Sequence, residues 1–421
     1  MVHNFFKQKN IMKFLFLSSA LLSSAFAFSS SEQSGDIKTC DDMKDLFERA
    51  KTEDVRVSMY PFQDITCQNF TTFTLDSGHD IEIYSSEDLS IFSGDASMRK
   101  VRFEVLGGSK LTIGVNMVFS LDLEEDNLPD LEGGMLFIGE ESNVVFLNDL
   151  STRDIGVRSQ TVEDSDFSDH VNRGGCMVVN GRLRVDGETA LVRCESSGGG
   201  ESGPGDGGAV YVGEMGSVNF NGKLEISDVS ITDDDGGSGG GIYNLGKVNV
   251  KSDTVLKDLR SEIGGAIFNG QGATFTFRNG ASVLFSGSRA QDGSGGAIYN
   301  AGSLKFTGPT LFVESSSEYR AGGVLITETG DIKFSKETVF FGTESRDSSQ
   351  APIFVESGEL LNTVRPLCFW QTLCSNTAMK YLCVVESSLR KMVVKFNYIN
   401  IFFDIYLFIF EIEILLSLII F

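Results

Sequence analysis

Three consecutive aspartates are the residues of this chain whose type and spacing are the best candidates for a metal-binding or catalytic site. Asp233, Asp234 and Asp235 precede two glycines, and Lys247 and Lys251 follow shortly after them. Carboxylate oxygens are the ligands that Ca²⁺ prefers, and a neighbouring lysine can act as a base. The cluster is therefore a candidate Ca²⁺ site, and a solvated acidic turn is the alternative interpretation of the same residues.

Other residue types that support catalysis are scarce. The chain has three histidines, His3, His79 and His170, which are too few for a zinc cluster. The glycine-rich stretches 198–208 and 236–241 lack the Lys-Ser/Thr pair of a phosphate-binding loop. The sequence therefore assigns no catalytic residue, and it suggests no cofactor other than Ca²⁺.

The charge of the chain bears on its partners. The 421 residues carry a formal net charge of −23. Such a surface repels nucleic acid, whose phosphates bind clusters of Lys and Arg, and no basic stripe is visible along the sequence. Nucleic acid is therefore not expected as a partner.

A recurring sequence motif, here called the phrase, identifies the strands that must position any functional site. It reads GGAIYN at its most regular copy, and its copies are separated by 25 to 41 residues. A constant phrase with a variable period indicates one fixed strand joined by loops of different length. The copies begin at residues 133, 174, 207, 239, 264, 295 and 322, with a degraded copy at 350.

Two further runs accompany each copy. A turn with Gly, Asn or Asp leads into an alternating run such as residues 247–251 or 303–307, and a short apolar run such as residues 283–285 follows. Alternation with period two is typical of half-buried strands. Three short strands per repeat predict an all-β fold, a right-handed parallel β-helix of about ten coils.

Equivalent positions of such a solenoid lie above one another. The phrase then predicts an asparagine ladder at the corner and an aromatic stack on the outer face. The alternative roles, ligands for the asparagines and a sugar platform for the aromatic rings, stay open. The residues are Asn244, Asn269 and Asn300 for the ladder, and Tyr243, Phe268 and Tyr299 for the stack.

The GGAI[YF]N copies resemble the repeats of polymorphic outer membrane proteins, within the broader class of pectin-lyase-like right-handed β-helices. The match is best over residues 207–327, with weaker copies out to 133 and 355. The resemblance implies an adhesin or another surface protein and, more distantly, a polysaccharide lyase or hydrolase.

The N-terminus resembles a secretory signal. Lys13 precedes a short apolar run, and Ala25-Phe26-Ala27 is a small-x-small cleavage site. We expect a signal peptide over residues 1–27 and a secreted or cell-surface protein. Delivery to an algal plastid by a bipartite presequence is the alternative, because Ala-Phe is also the cleavage motif of such presequences.

Segments of different character flank the repeats. Residues 28–54 include an amphipathic helix, predicted over 41–51, that can cap the β-helix expected over 55–363. Residues 364–421 are rich in Phe and Ile but are interrupted by Asp404, Glu411 and Glu413. This tail can be a membrane anchor, the product of a read-through intron or frame error, or a capping element, and a membrane is a partner only in the first case.

Cysteines and a sequon also point to the secretory route. In an oxidising compartment Cys40 can pair with Cys67, and Cys176 can pair with Cys194 or lie buried as a thiol. Asn69 begins an Asn-Phe-Thr acceptor for N-glycosylation.

These observations lead to one expected function and one alternative. We expect a secreted or surface β-helix that has a structural or adhesin-like binding role, with a polysaccharide or a surface protein as partner. The alternative is a polysaccharide lyase, epimerase or glycoside hydrolase acting on acidic glycans. The sequence leans away from an enzyme; any enzyme here would be pectate-lyase-like.

Overall fold

A repeating set of parallel strands forms the fold of this protein, which is described from a computed structural model. The strands stack as a parallel β-helix of about eight turns, which confirms the predicted all-β class. The described residues are 36–86, 95–120, 133–153, 155–158, 173–197, 205–231, 237–346, 352–356, 359–362, 367–371 and 380–384.

The alternating runs form one continuous sheet, here called the twelve-stranded sheet. Its apolar positions, such as Val248 and Phe306, are fully buried, while Lys247 and Lys305 beside them point outward and are exposed. The period-two pattern therefore places one face in the core. Its strands are Asp36–Ile37, Val55–Met59, Asp80–Ser85, Lys110–Gly114, Asn143–Phe146, Arg182–Val185, Ser217–Phe220, Lys247–Val250, Thr274–Phe277, Ser303–Phe306, Asp331–Phe334 and Glu359–Asn362.

The recurring phrase forms the second strand of each coil. These three-residue phrase strands pair in parallel and in register, so that Ile242 lies beside Ile267, and Ile267 beside Ile298. The phrase strands are Leu136–Ile138, Met177–Val179, Val210–Val212, Ile242–Asn244, Ile267–Asn269, Ile298–Asn300, Val324–Ile326 and Ile353–Val355.

The third strands complete the coils. They are Asn116–Ser120, Leu150–Arg153, Thr189–Val192, Leu224–Ile231, Thr254–Ser261, Val283–Ser286, Thr310–Val313, Thr338–Phe341 and Leu367–Gln371, and Lys380–Val384 pairs antiparallel to the last of them. Shorter strands at the corners are Ile155–Arg158, Cys194–Ser197, Gly205–Asp206, Gly237–Ser238, Arg289–Ala290, Ser316–Ser317 and Glu344–Ser345.

The first coils lack the separate phrase strand of the later coils. Asp64–Leu75 and Asp95–Val105 are single long strands that run through the third-strand and phrase-strand positions without a double-glycine turn. Their pairing shifts register between Thr66 and Thr71. The separate phrase strand recurs eight times, once for each copy of the phrase. The turns number about eight rather than the ten coils expected, because the first strands contain no double glycine to break them.

Stacked phenylalanines fill the interior. The rings of Phe277, Phe306 and Phe334 stack at 4.8 and 5.1 Å between centroids, and a second stack runs along the third strands. All three rings are fully buried. Because each ring lies between those of the coils above and below, the apolar interior links neighbouring coils.

The two glycine positions of the phrase require glycine for different physical reasons. Gly295 has φ +73°, a conformation that residues with a Cβ rarely adopt. At Gly296 an added Cβ would lie 2.1 Å from the carbonyl oxygen of Gly322 in the next coil. The first glycine is required by the turn, and the second by the close approach of two coils.

The predicted N-terminal helix is confirmed and spans Cys40–Arg49. Thr39 and Asp42 form a capping box, with the Asp42 amide donating to Thr39 Oγ1 at 3.1 Å. Phe47 stacks on Phe103 at 5.7 Å and also contacts Phe73. The apolar side of the helix therefore packs on the aromatic residues of the first two long strands.

Two disulfides tie separate parts of the fold together. Cys40 bonds Cys67 and so joins the helix to the strand Asp64–Leu75, and Cys176 bonds Cys194 within one coil. Both pairings are those considered from the sequence. The second closes a loop of 18 residues in the middle of the solenoid.

We expect the double substitution Cys176→Ser/Cys194→Ser to lower the free energy of unfolding by about 2–4 kcal/mol. The cross-link restricts the unfolded chain, and both sulfurs are buried in the native state. Urea unfolding of the variant, beside the oxidised and the reduced wild-type protein, measures this loss. A variant as stable as the oxidised wild type would contradict the expectation.

The predicted ends lie largely outside the described residues. This applies to the signal peptide over 1–27 and to most of the tail over 364–421. The strand Leu367–Gln371 pairs in parallel with Thr338–Phe341, so strand pairing continues past the boundary expected at 363. In the part of the chain that the structure describes, no helix has the length and apolar character needed to cross a bilayer.

Candidate functional site

The acidic cluster expected to bind Ca²⁺ lies outside the described residues. This holds for Asp233, Asp234 and Asp235, which directly precede the short strand Gly237–Ser238. Within the described ranges, no three His, Cys, Asp or Glu side chains are grouped to hold a metal ion. The Ca²⁺ site stays a prediction.

The three asparagines lie in one buried ladder. Asn244 Nδ2 donates to Asn269 Oδ1 at 2.8 Å, and Asn269 Nδ2 donates to Asn300 Oδ1 at 2.7 Å. The ladder ends on backbone, where Asn300 Nδ2 donates to the carbonyl oxygen of Asp331 at 2.9 Å. All three side chains are fully buried, so they serve the corner of the solenoid and are out of reach of a ligand.

The aromatic residues stack on the outer face of the phrase strands. The centroids of Tyr243 and Phe268 are 4.6 Å apart with an angle of 2° between the rings, and Tyr299 continues the stack at 5.0 Å. Tyr211 extends it at the other end, and the Arg173 guanidinium lies 4.9 Å from its ring centroid. The faces of the inner rings are thus covered, and a sugar could reach only their edges.

The glycosylation candidate lies on an irregular stretch of strand. Asn69 is exposed and falls within the register shift of the strand Asp64–Leu75. The Thr71 hydroxyl donates to the Asn69 carbonyl oxygen at 3.0 Å. The acceptor is therefore open to a modifying enzyme, and its glycosylation stays a prediction.

A largely buried carboxyl lies beside the aromatic stack. Burial raises the pKa of Asp206 to about 7, against the opposing effect of the Arg173 guanidinium and the Ser238 backbone. Burial, and next the nearby Asp206, also raise the pKa of Tyr243. Sequence reasoning missed this carboxyl, because nothing in a single Asp before a double glycine indicates burial.

We expect the stability difference between wild type and Asp206→Asn to depend on pH. The pKa of Asp206 in the fold, about 7, lies well above that of an aspartate in the unfolded chain. The native state therefore holds a proton that the unfolded state releases, and stability falls as pH rises from about 4 to 7. Relative to the variant, the wild type should lose about 3 kcal/mol between pH 5 and pH 8.

Thermal unfolding of both proteins at several pH values measures this effect. Glu337→Gln, which removes an exposed carboxylate, is the control and should leave the pH dependence unchanged. A constant difference between wild type and Asp206→Asn over this pH range would show that the carboxyl is solvated.

The outward side of the twelve-stranded sheet carries basic side chains that are far apart in the sequence. Each strand of this sheet, here called a rung, pairs in register with the next, and this pairing places the basic side chains in columns. One column runs through Arg184, Asn219, Asn249, Thr276, Lys305 and Lys333. We define the basic face as the cationic side chains of the six rungs from Arg182–Val185 to Asp331–Phe334: Arg182, Arg184, Lys247, Lys251, Arg278, Lys305 and Lys333.

Most of these cations have no acidic partner. Arg184 donates from Nε to Asp186 Oδ1 at 2.7 Å, which lowers the pKa of that carboxyl. The other six have no ion-pair partner among the residues that the structure describes. The second carboxylate on these rungs, Asp331, accepts from Ser303 Oγ at 3.0 Å. The face is therefore positive in a chain of net charge −23.

The basic face was not predicted. Only Arg182 with Arg184, and Lys247 with Lys251, are close in the sequence; the remaining members are separated by most of a coil, so no window of the sequence shows the whole cluster. Only the register of the strands brings Lys305 beside Lys333, and Lys247 into the column that begins with Arg182.

No family model, curated protein or solved structure matches this chain.

Proposed function

We propose that this protein is an extracellular or cell-surface β-helix that binds glycans, in the manner of an adhesin. The observation that carries the proposal is the outward side of the twelve-stranded sheet. Its exposed charged side chains stand in register with amides and hydroxyls such as Asn219, Thr274 and Ser303. Rows of such groups at a strand spacing of ~4.8 Å suit a long polymer with many hydroxyls.

Other features support a protein that leaves the cytoplasm. The two disulfides are typical of oxidising compartments, and Asn69 is exposed as an N-glycosylation acceptor must be. The signal-like N-terminus points the same way. The resemblance of the phrase to the repeats of polymorphic outer membrane proteins, within the pectin-lyase-like class, favours a surface role.

Retention of the protein on a panel of immobilised polysaccharides, neutral and acidic, tests the proposal. We expect retention of at least one polymer, with the polymer left intact. Failure to bind any of them would contradict glycan binding. New reducing or unsaturated chain ends in the eluate would instead favour the alternative, an enzyme that cleaves acidic polysaccharide.

A further inference from the structure

We propose that the basic face binds a linear anionic polysaccharide, one that carries carboxylate or sulfate groups, along the axis of the solenoid. The inference rests on the proposed function and names the chemical class of its ligand. It follows from the arrangement of the cations, the side chains between them and the types of residue that this face lacks.

The cations form a line rather than a spot. Five of the six rungs carry at least one of them, the exception being Ser217–Phe220. At a strand spacing of ~4.8 Å, the six rungs extend over ~24 Å along the sheet. A polymer with an anionic group on each unit, laid across the strands, can therefore meet a cation at almost every rung.

Several cations of the basic face are free to bind. Lys247, Arg278 and Lys305 are exposed and have no acidic partner among the described residues. Both carboxylates on these rungs are already engaged, since Asn221 Nδ2 and Arg184 donate to Asp186, and Ser303 donates to Asp331. A ligand anion at Lys247, Arg278 or Lys305 would consequently not have to displace an existing ion pair, whereas Arg184 is already held by Asp186.

Neutral polar side chains lie between the cations. Asn249 Nδ2 donates to Asn219 Oδ1 at 3.2 Å. Asn249 is only 4% exposed, so Asn219 is the member of this amide pair that a ligand can reach. Thr276 continues the same column toward Lys305. Amides and hydroxyls can both donate and accept hydrogen bonds, as sugar hydroxyls do. They also space the cations apart, as the anionic groups of an acidic glycan are spaced apart by its sugar units.

The residue types argue against nucleic acid as the occupant. Single strands are bound by aromatic side chains on which bases stack, and none of the outward positions of these six fully described strands is aromatic. Duplex DNA carries one charge per ~1.7 Å, and the net charge of −23 repels it strongly. A polysaccharide with one charge per sugar is repelled less.

The test compares the wild-type protein with two triple variants of equal charge change. Lys247→Gln/Lys305→Gln/Lys333→Gln removes three cations of the basic face. The matched control, Lys44→Gln/Lys223→Gln/Lys257→Gln, removes three lysines that form ion pairs elsewhere. Circular dichroism verifies that all three proteins are folded. The probes are dextran sulfate, alginate, uncharged dextran of matched length and oligo(dT).

We expect the wild type to bind dextran sulfate or alginate at least about tenfold more tightly than dextran, and to lose this preference in high salt. The basic-face variant should lose about tenfold in affinity, and the control less than about twofold. Comparing the two anionic probes shows whether sulfate or carboxylate is the preferred group.

Three results would overturn the inference. They are equal affinity for dextran, equal losses in both triple variants, and tighter binding of oligo(dT) than of either anionic polysaccharide. Equal binding of dextran would leave the proposed glycan binding intact, whereas retention of no polysaccharide at all would remove both proposals.

Discussion

Replacing Asn269 by Ala should destabilise the protein by about 3–5 kcal/mol, because it breaks the buried asparagine ladder in the middle. Asn269 accepts from Asn244 and donates to Asn300, and it is fully buried. Its loss leaves the Asn300 Oδ1 acceptor without a donor and weakens the bonding of Asn244. Each buried group left unsatisfied costs about 1–3 kcal/mol, and the missing side chain leaves a cavity as well.

Urea unfolding followed by circular dichroism measures the loss. The matched control is Asn143→Ala, which removes an asparagine from an outward position of the twelve-stranded sheet. It should change stability by no more than about 0.5 kcal/mol. A loss below about 1 kcal/mol for Asn269→Ala would mean that the ladder contributes little to the fold.

The substitution Gly296→Ala is expected to cost about 3 kcal/mol or more. A Cβ at this position would lie 2.1 Å from the Gly322 carbonyl oxygen and 2.5 Å from that of Ser316. Both obstacles are backbone atoms of the next coil, so relief requires the two coils to separate. Such a separation disturbs the pairing of the phrase strands Ile298–Asn300 and Val324–Ile326.

Gly114→Ala is the control for this change. A Cβ at Gly114 would meet its nearest neighbour, the Ile83 carbonyl oxygen, at 3.4 Å, which is ordinary contact. We expect an effect below about 1 kcal/mol there. Thermal unfolding of both variants gives the comparison, and equal melting temperatures would show that the coils approach less closely than described.

The fold could be predicted because its determinants are local and repeated. Alternating runs such as residues 303–307 identify the strands of the twelve-stranded sheet, and the constant phrase defines their register. Asn244, Asn269 and Asn300 each end a copy of the phrase that begins with two glycines and has Ile at its fourth position, so their stacking follows once the repeats are aligned. The first coils were harder, because Asp64–Leu75 and Asp95–Val105 contain no double glycine.

The candidate site could not be predicted in the same way. The basic face depends on which positions of separate coils point outward together, and its column also contains the neutral residues Asn219, Asn249 and Thr276. No local signal distinguishes Lys305 on this face from Lys257 on another. The raised pKa of Asp206 likewise depends on burial, which only the packed coils determine.

Lysine footprinting tests most directly whether the twelve-stranded sheet is the glycan-binding surface. The protein is acetylated briefly with and without dextran sulfate, and modification at each lysine is measured by mass spectrometry. We predict that the polymer protects Lys247, Lys305 and Lys333 severalfold and leaves Lys44 and Lys257 as reactive as before. Protection at Lys44 and Lys257 instead, or bound polymer without protection of the basic face, would contradict the proposed binding surface.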